Sequence, residues 1–193
     1  MTGHGQRTAV EYARYADDLV ILVDAARRHD WLLTAVDRRL REELAKLDLS
    51  LNEAKTRTVD LTRGERFSFL GFDFRRVRSP WGGWRLRYTP RLKKRTALLQ
   101  KLKGVFRHSR SQPVQGVIAQ INPILRGWVN YFRIGHAGRC FGYVQRWVEL
   151  KVRRHLMRAR KRRGFGWPRW SRAWLYETLG LHADYRLRRL SPA

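Results

Sequence analysis

"VQGVIAQINPILRGWVNYF", residues 114–132, is the stretch on which the fold turns. Val114, Val117, Ile118, Ile121, Leu125, Trp128, Val129 and Phe132 recur every three or four residues, the period that gathers side chains on one side of an α-helix. Arg126, Asn130 and Tyr131 fall off that stripe. Pro123 lacks an amide and crowds the preceding turn, which predicts a kink. Three further helical patterns surround this one. "TPRLKKRTALLQKLKGVF" (89–106) precedes it, with Pro90 near a first helical position, where a missing amide costs nothing. "FGYVQRWVELKVRRHLMRARKRR" (141–163) follows and ends in an Arg/Lys cluster, and "WPRWSRAWLYETLGL" (167–181) predicts a short helix from Pro168 to Gly180.

The N-terminal part carries strand patterns instead. "VEYARY" (10–15) and "LVILV" (19–23) flank "ADD", which predicts a β-hairpin with Asp17 and Asp18 at its tip. In "DWLLTAVDRRLREELAKLDLSLN" (30–52), Leu32, Val36, Leu40, Leu44 and Leu47 define an amphipathic helix, with Asp30 as its cap. "TRTVDL" (56–61), "RFSFLGFDFRRV" (66–77) and "WRLRYTP" (84–90) are strand-like, the last two joined by the turn "SPWGG". The expected class is α+β: an antiparallel β-rich unit with one packed helix over residues 1–88, an all-α basic domain over 89–163, and a C-terminal extension over 164–193.

Charge separates the same parts. Of the net +26, residues 1–74 contribute 12 Lys+Arg against 13 acids, and residues 75–193 contribute 30 Lys+Arg against three acids. So cationic a segment repels itself unless a polyanion neutralises it, and a phosphate backbone does so while releasing counterions. Nucleic acid is therefore the expected partner. A membrane surface is not, because these helices need their apolar faces for a core. Cys140 is the only cysteine, which excludes an intrachain disulfide and a multi-cysteine zinc site, and the six His lack metal-ligand spacing. The N-terminus shows no hydrophobic signal core, and a cytoplasmic location is expected.

Adjacent carboxylates at a hairpin tip repel each other unless a cation sits on them. A hard divalent ion such as Mg²⁺ meets that need, and a metal pair of this kind serves nucleotidyl transfer. A solvated Asp-Asp turn is the other reading. The context "YADD" before "LVIL" resembles the catalytic hairpin of reverse transcriptases. In order, "LSLNEAKT" (49–56), "FLGFDF" (69–74), "INPILRGWVNYFRIGHA" (121–137) and "GFGWPRWSRAWLYETLGL" (164–181) resemble later segments of group II intron reverse transcriptase/maturases. The resemblance runs from about residue 9 to 190 and implies a partial palm over 1–88, a thumb and maturase-specific domain over 89–163, and a maturase extension after that.

It further implies that Asp17 and Asp18 are Mg²⁺ ligands and that Tyr15 lies beneath the primer terminus. Lys55 would be a general acid toward pyrophosphate or, read plainly, a solvated lysine. Phe69, Leu70 and Gly71 would position the primer strand; both Phe also suit strand core, and Gly71 best permits close backbone approach. The implied partners are group II intron RNA, primer and target DNA, and an N-terminal reverse transcriptase fragment acting in trans. Only 16 residues precede Asp17, too few for fingers and a first palm aspartate, and Asp24 falls at the far end of the returning strand. The chain alone is expected not to polymerise; a splicing cofactor without polymerase activity, or an inactive remnant, is the alternative. Expected RNA contacts are Lys93, Lys94, Arg95, Lys101 and Lys103 on the first basic helix and Arg126, Asn130 and Tyr131 on the central one. Arg153, Arg154, Arg158, Arg160, Lys161, Arg162 and Arg163 complete the set on the third. Trp128, Trp167, Trp170 and Trp174 are assigned mainly to packing.

Overall fold

The computed structural model describes residues 9–164 and 166–188. The segment read for a signal core, up to residue 8, and the last five residues of the C-terminal extension lie outside the described residues. The chain has the expected mixed α+β class and divides into two compact units, residues 1–69 and 70–193.

In the first unit, β1 (Val10–Tyr15) and β2 (Asp18–Val23) pair antiparallel, from Val10 opposite Val23 to Tyr15 opposite Asp18. Ala16 and Asp17 make the turn, with Ala16 at φ 50°, the left-handed conformation that suits the twist of tight hairpins. Helix α1 (Asp30–Ala45) follows the predicted period, but Asp30 is not its cap. His29 holds the cap position without a side-chain capping hydrogen bond, and Asp30 is the first helical residue, where its charge still favours the positive end of the helix dipole. The helix ends well before Asn52. Asp48 adopts φ 53°, the Leu49 amide donates to Leu44 O at 3.0 Å and the Asp48 amide to Ala45 O at 3.1 Å. Those two bonds make a Schellman stop, with Asp48 where glycine usually sits.

"TRTVDL" is not a strand. The Asp60 carboxylate accepts the Thr62 amide at 2.7 Å and opens a single 3₁₀ turn, Leu61–Arg63, closed by Gly64 at φ 82°. An aspartate able to satisfy a nearby amide offers the backbone an alternative to a ladder. "RFSFLGFDFRRV" likewise divides into β3 (Arg66–Phe69) and β4 (Phe72–Arg78), because Leu70 and Gly71 both take positive φ, 48° and 78°.

In the second unit β4 pairs antiparallel with β5 (Trp84–Pro90), from Phe72 opposite Pro90 to Arg78 opposite Trp84. Pro90 ends this strand rather than opening a helix, and Arg91 caps α2 (Leu92–His108). Helix α3 (Val114–Phe132) has the bounds its period predicts and continues through Pro123. Helix α4 (Gly138–Ala159) starts three residues before the predicted Phe141, and most of the Arg/Lys cluster lies beyond its end. The expected fourth helix is replaced by turns and one π-type turn, Trp174–Thr178, ended by Gly180 at φ 71°. The wider turn serves two anchors, Leu175 in the core and the Tyr176 hydroxyl on Glu149.

The stripe of α3 feeds two apolar clusters. Val117, Ile118, Ile121 and Leu125 meet Leu98, Leu102 and Phe106 of α2 and Val144, Val148 and Val152 of α4, joined by Leu175 and Leu181. One turn further on, Val129 and Phe132 meet Phe72, Ala137 and Phe141, with Phe74 and Tyr88 packed alongside. Trp128 and Tyr185 touch both groups. The C-terminal extension is pinned to α3 by Asn122, whose Nδ2 donates to Gly180 O at 2.8 Å while its Oδ1 accepts the His182 amide at 2.9 Å. Gly135 lets the α3–α4 loop approach the hairpin, since a Cβ there would lie 2.8 Å from Phe72 and 3.2 Å from Tyr88 O.

Leu125 is fully buried, so Leu125→Ala should lower unfolding free energy by about 2–5 kcal/mol in urea titrations.

Candidate functional site

The buried stripes of α2 and α4 dictate where their cations go. With Leu98, Leu102 and Phe106 inward, Lys101 and Lys103 are left exposed on α2. With Val144, Val148 and Val152 inward, Lys151, Arg154 and Arg158 stand on the outer flank of α4. The two rows meet: burial first, then the charges of Arg154, Lys103 and Arg158, hold the Lys151 ammonium below the usual lysine range. Every charged group that perturbs Lys151 is a cation. Its Nζ also sits 5.1 Å from the Trp147 ring centre, and Trp147 rests edge-on against Phe106. A concentration of like charge supported from beneath by an aromatic layer is destabilising by itself and favourable against a polyanion.

Lys93, Lys94, Lys101, Lys103, Arg126, Asn130, Arg158, Arg160, Lys161, Arg162 and Arg163 all lie exposed, as phosphate contacts require. Arg153 does not. It is 1% exposed, its Nε donates to Trp170 O at 2.8 Å, its Nη1 lies 3.4 Å from Glu149, and its guanidinium sits 4.0 Å from the Trp167 ring centre. The expectation of an RNA contact is corrected there: Arg153 belongs to a buried ion pair. Arg95 is half-buried with its guanidinium 4.4 Å from the Tyr143 ring centre, and Arg154 is half-buried and already engaged. Tyr131 is half-exposed, but its hydroxyl donates to Leu70 O at 2.8 Å and its ring stacks on Phe72. Gly71 packs beside Lys94 and Phe132, where an added Cβ would meet Lys94 Cε at 3.4 Å. As expected, Trp128 and Trp170 pack, Trp170 being 4% exposed, whereas Trp167 remains half-exposed.

Glu149 was missed by sequence reasoning. It is 1% exposed and accepts hydrogen bonds from Tyr176 Oη at 2.6 Å, Arg172 Nε at 2.9 Å and Arg153 Nη1 at 3.4 Å. This cluster fastens residues 170–176 to α4. A signal existed: one of three acids after residue 74, placed beside Val148 and four residues before an arginine. Burial and the bond to Glu149 push the Tyr176 phenol up to about 12.

In the first unit, Asp17 occupies the hairpin turn and Asp18 opens β2 opposite Tyr15, all exposed. Asp24 lies at the open end, where its amide donates to Ala9 O at 2.9 Å and its carboxylate binds His29 Nδ1 at 3.1 Å. Lys55 is exposed, with its amide donating to Asn52 O at 3.0 Å. Among the described residues no group of three or more His, Cys, Asp or Glu converges on a point. Two neighbouring carboxylates suit Mg²⁺ only if further ligands come from elsewhere.

Fold and charge thus define a helical body with cations gathered on α2 and α4. Residues 95–174 match the family model of the group II intron maturase-specific domain. The match takes in most of α2, all of α3 and α4 and the chain to Trp174, and it supports a group II intron maturase C-terminal region; the Asp17–Asp18 hairpin lies outside it. No curated protein matches the chain. No helix among the described residues is long and apolar enough to cross a membrane.

Glu149→Ala strands the Arg153 charge in the core and should cost about 3–5 kcal/mol in denaturant unfolding. Because folding raises the Tyr176 pKa, the neutral phenol is the favoured form. That contribution is whole below the ordinary tyrosine value near 10 and is lost as pH rises toward about 12. Unfolding midpoints should therefore decline across that window, and Tyr176→Phe should flatten the decline.

Proposed function

We propose that the second unit binds group II intron RNA along α2 and α4 and assists its splicing as a maturase. The match over residues 95–174 supports the class. The convergence of Lys103, Lys151, Arg154 and Arg158 from two helices supports the surface and carries the proposal. Such a surface grips the backbone through charge; it holds an RNA fold in place with little dependence on sequence. In this reading Lys101 and the run Arg160 to Arg163 extend the track at either end.

For the first unit we propose the role its resemblance implies: a reverse transcriptase palm in which Asp17 and Asp18 hold Mg²⁺, Tyr15 supports the primer and Lys55 serves the leaving pyrophosphate. Two exposed carboxylates without a third ligand among the described residues favour a second reading for the chain acting alone, a splicing cofactor that does not polymerise. The missing ligands would come from an additional reverse transcriptase segment.

Affinity for a structured intron RNA should fall steeply between low and moderate salt, by filter binding or fluorescence anisotropy. A variant carrying Lys103→Gln, Lys151→Gln and Arg158→Gln should flatten the log-log salt slope by about 0.9 for each phosphate that is no longer neutralised; an unchanged slope would overturn the assignment of this surface. Asp17→Ala should leave RNA affinity and splicing assistance as they are while removing complementary-DNA synthesis from an assembly that includes the complementary palm segment. If RNA affinity fell with it, the division of labour between the two units would be wrong.

A further inference from the structure

The β4–β5 hairpin has two ends of opposite character. At its base Phe72, Phe74 and Tyr88 pack into the core, with Phe74 and Tyr88 stacked at 5.6 Å. By the alternation of the ladder, Arg76, Arg78, Trp84 and Leu86 continue that same sheet face outward. There the packing ceases. Trp84 is 58% exposed under the Arg76 guanidinium, 4.6 Å from its ring centre, and Trp81 at the turn is 90% exposed.

The turn beneath Trp81 is nevertheless well built. The Ser79 amide donates to Gly83 O at 2.6 Å, the Gly82 amide to Ser79 O at 3.0 Å, and Ser79 Oγ accepts from the Trp81 amide and from Arg85. Gly82, at φ 90°, and Gly83 have no atom within 4 Å of where a Cβ would stand, so the space around the tip is open. A large ring held out on an ordered turn adds nothing to the fold that an alanine would not.

Charge points the same way. Residues 72–90 hold Arg75, Arg76, Arg78, Arg85 and Arg87 against a single acid, Asp73, at the base of the hairpin. Arg78 stands directly opposite Trp84 in the ladder, while Arg75 and Arg87 face each other on the reverse side together with Asp73. Flat aromatic platforms beside arginines, at a hairpin end without carboxylates, match unpaired nucleotides: bases stack on the rings while phosphates meet the guanidiniums.

We propose that this hairpin is a second RNA-contacting element, separate from the α2–α4 track, which captures unpaired bases on Trp81 and Trp84 and their phosphates on Arg78, directly opposite Trp84 in the ladder. It rests on the RNA-binding reading above but assigns a different chemistry, stacking on single strands in place of backbone attraction to folded RNA.

The test uses the full chain with two probes, a short oligouridylate and a short blunt RNA duplex. Trp81→Ala with Trp84→Ala should weaken oligouridylate binding by about tenfold for each ring, abolish most of the tryptophan quenching that accompanies it, and leave duplex binding within about twofold. Trp81→Phe with Trp84→Phe should restore most of the affinity, which a purely structural role would not require. The triple Gln variant of the α2–α4 surface should weaken duplex binding more than single-strand binding. Equal loss on both probes, or no loss on either, would overturn the hairpin assignment while leaving the RNA reading intact. A wild-type chain that binds neither probe at low salt would remove both. Stronger quenching by phosphatidylserine vesicles than by oligouridylate would show a lipid-facing hairpin and overturn the proposal as well.

Discussion

Helix α3 must bury one continuous apolar stripe against two different sets of neighbours, and the second unit is arranged around that requirement. Its first three turns need α2 and α4 beside them; its last turn needs the aromatic base of the β4–β5 hairpin and the start of α4. Trp128 is the α3 side chain that touches both clusters. Its Nε1 is buried without a hydrogen-bond partner, a cost the packing on both sides must outweigh. With the apolar stripe of α3 covered, most cations of α2 and α4 are left on the outer flanks.

That exclusion converts composition into a surface. A stretch of 30 Lys+Arg and three acids has to place its charge outside a core. Because α2 and α4 present their stripes to the same helix, the outer flanks bring Lys103 and Lys151 into mutual range. The one carboxylate drawn inward, Glu149, is paired with two cations, Arg153 and Arg172, and accepts a further hydrogen bond from the Tyr176 hydroxyl. Buried charge of this kind is weak evidence for stability, because its desolvation nearly offsets the attraction. Its effect here is positional: it ties residues 170–176, which have too little regular structure to hold themselves, onto α4.

Local periodicity was sufficient for α1, α3, the β1–β2 hairpin and the β4–β5 hairpin, since each carries its whole pattern within a short window, although α1 buries none of its stripe fully. It failed where one residue's own bonding outweighed the pattern. Asp60 turned a strand-like run into a 3₁₀ turn, Leu70 joined Gly71 in the left-handed region, and residues 167–181 followed their anchors instead of a helical repeat. The maturase-specific character of residues 95–174 was legible from "INPILRGWVNYFRIGHA" and is supported by the family match.

The sequence by itself determined the α+β class, the central helix with its bounds, the carboxylates at a hairpin tip and the one-sided charge, because each depends on residues near one another in the chain. Tertiary structure decided which arginines face solvent. Arg153 and Arg158 belong to the same basic run, yet one is sealed beneath Trp170 and Trp167 while the other joins the cationic flank. Composition does not distinguish them; the packing of residues 167–176 over one flank of α4 does, by covering Arg153 beside Glu149 and leaving Arg158 to water.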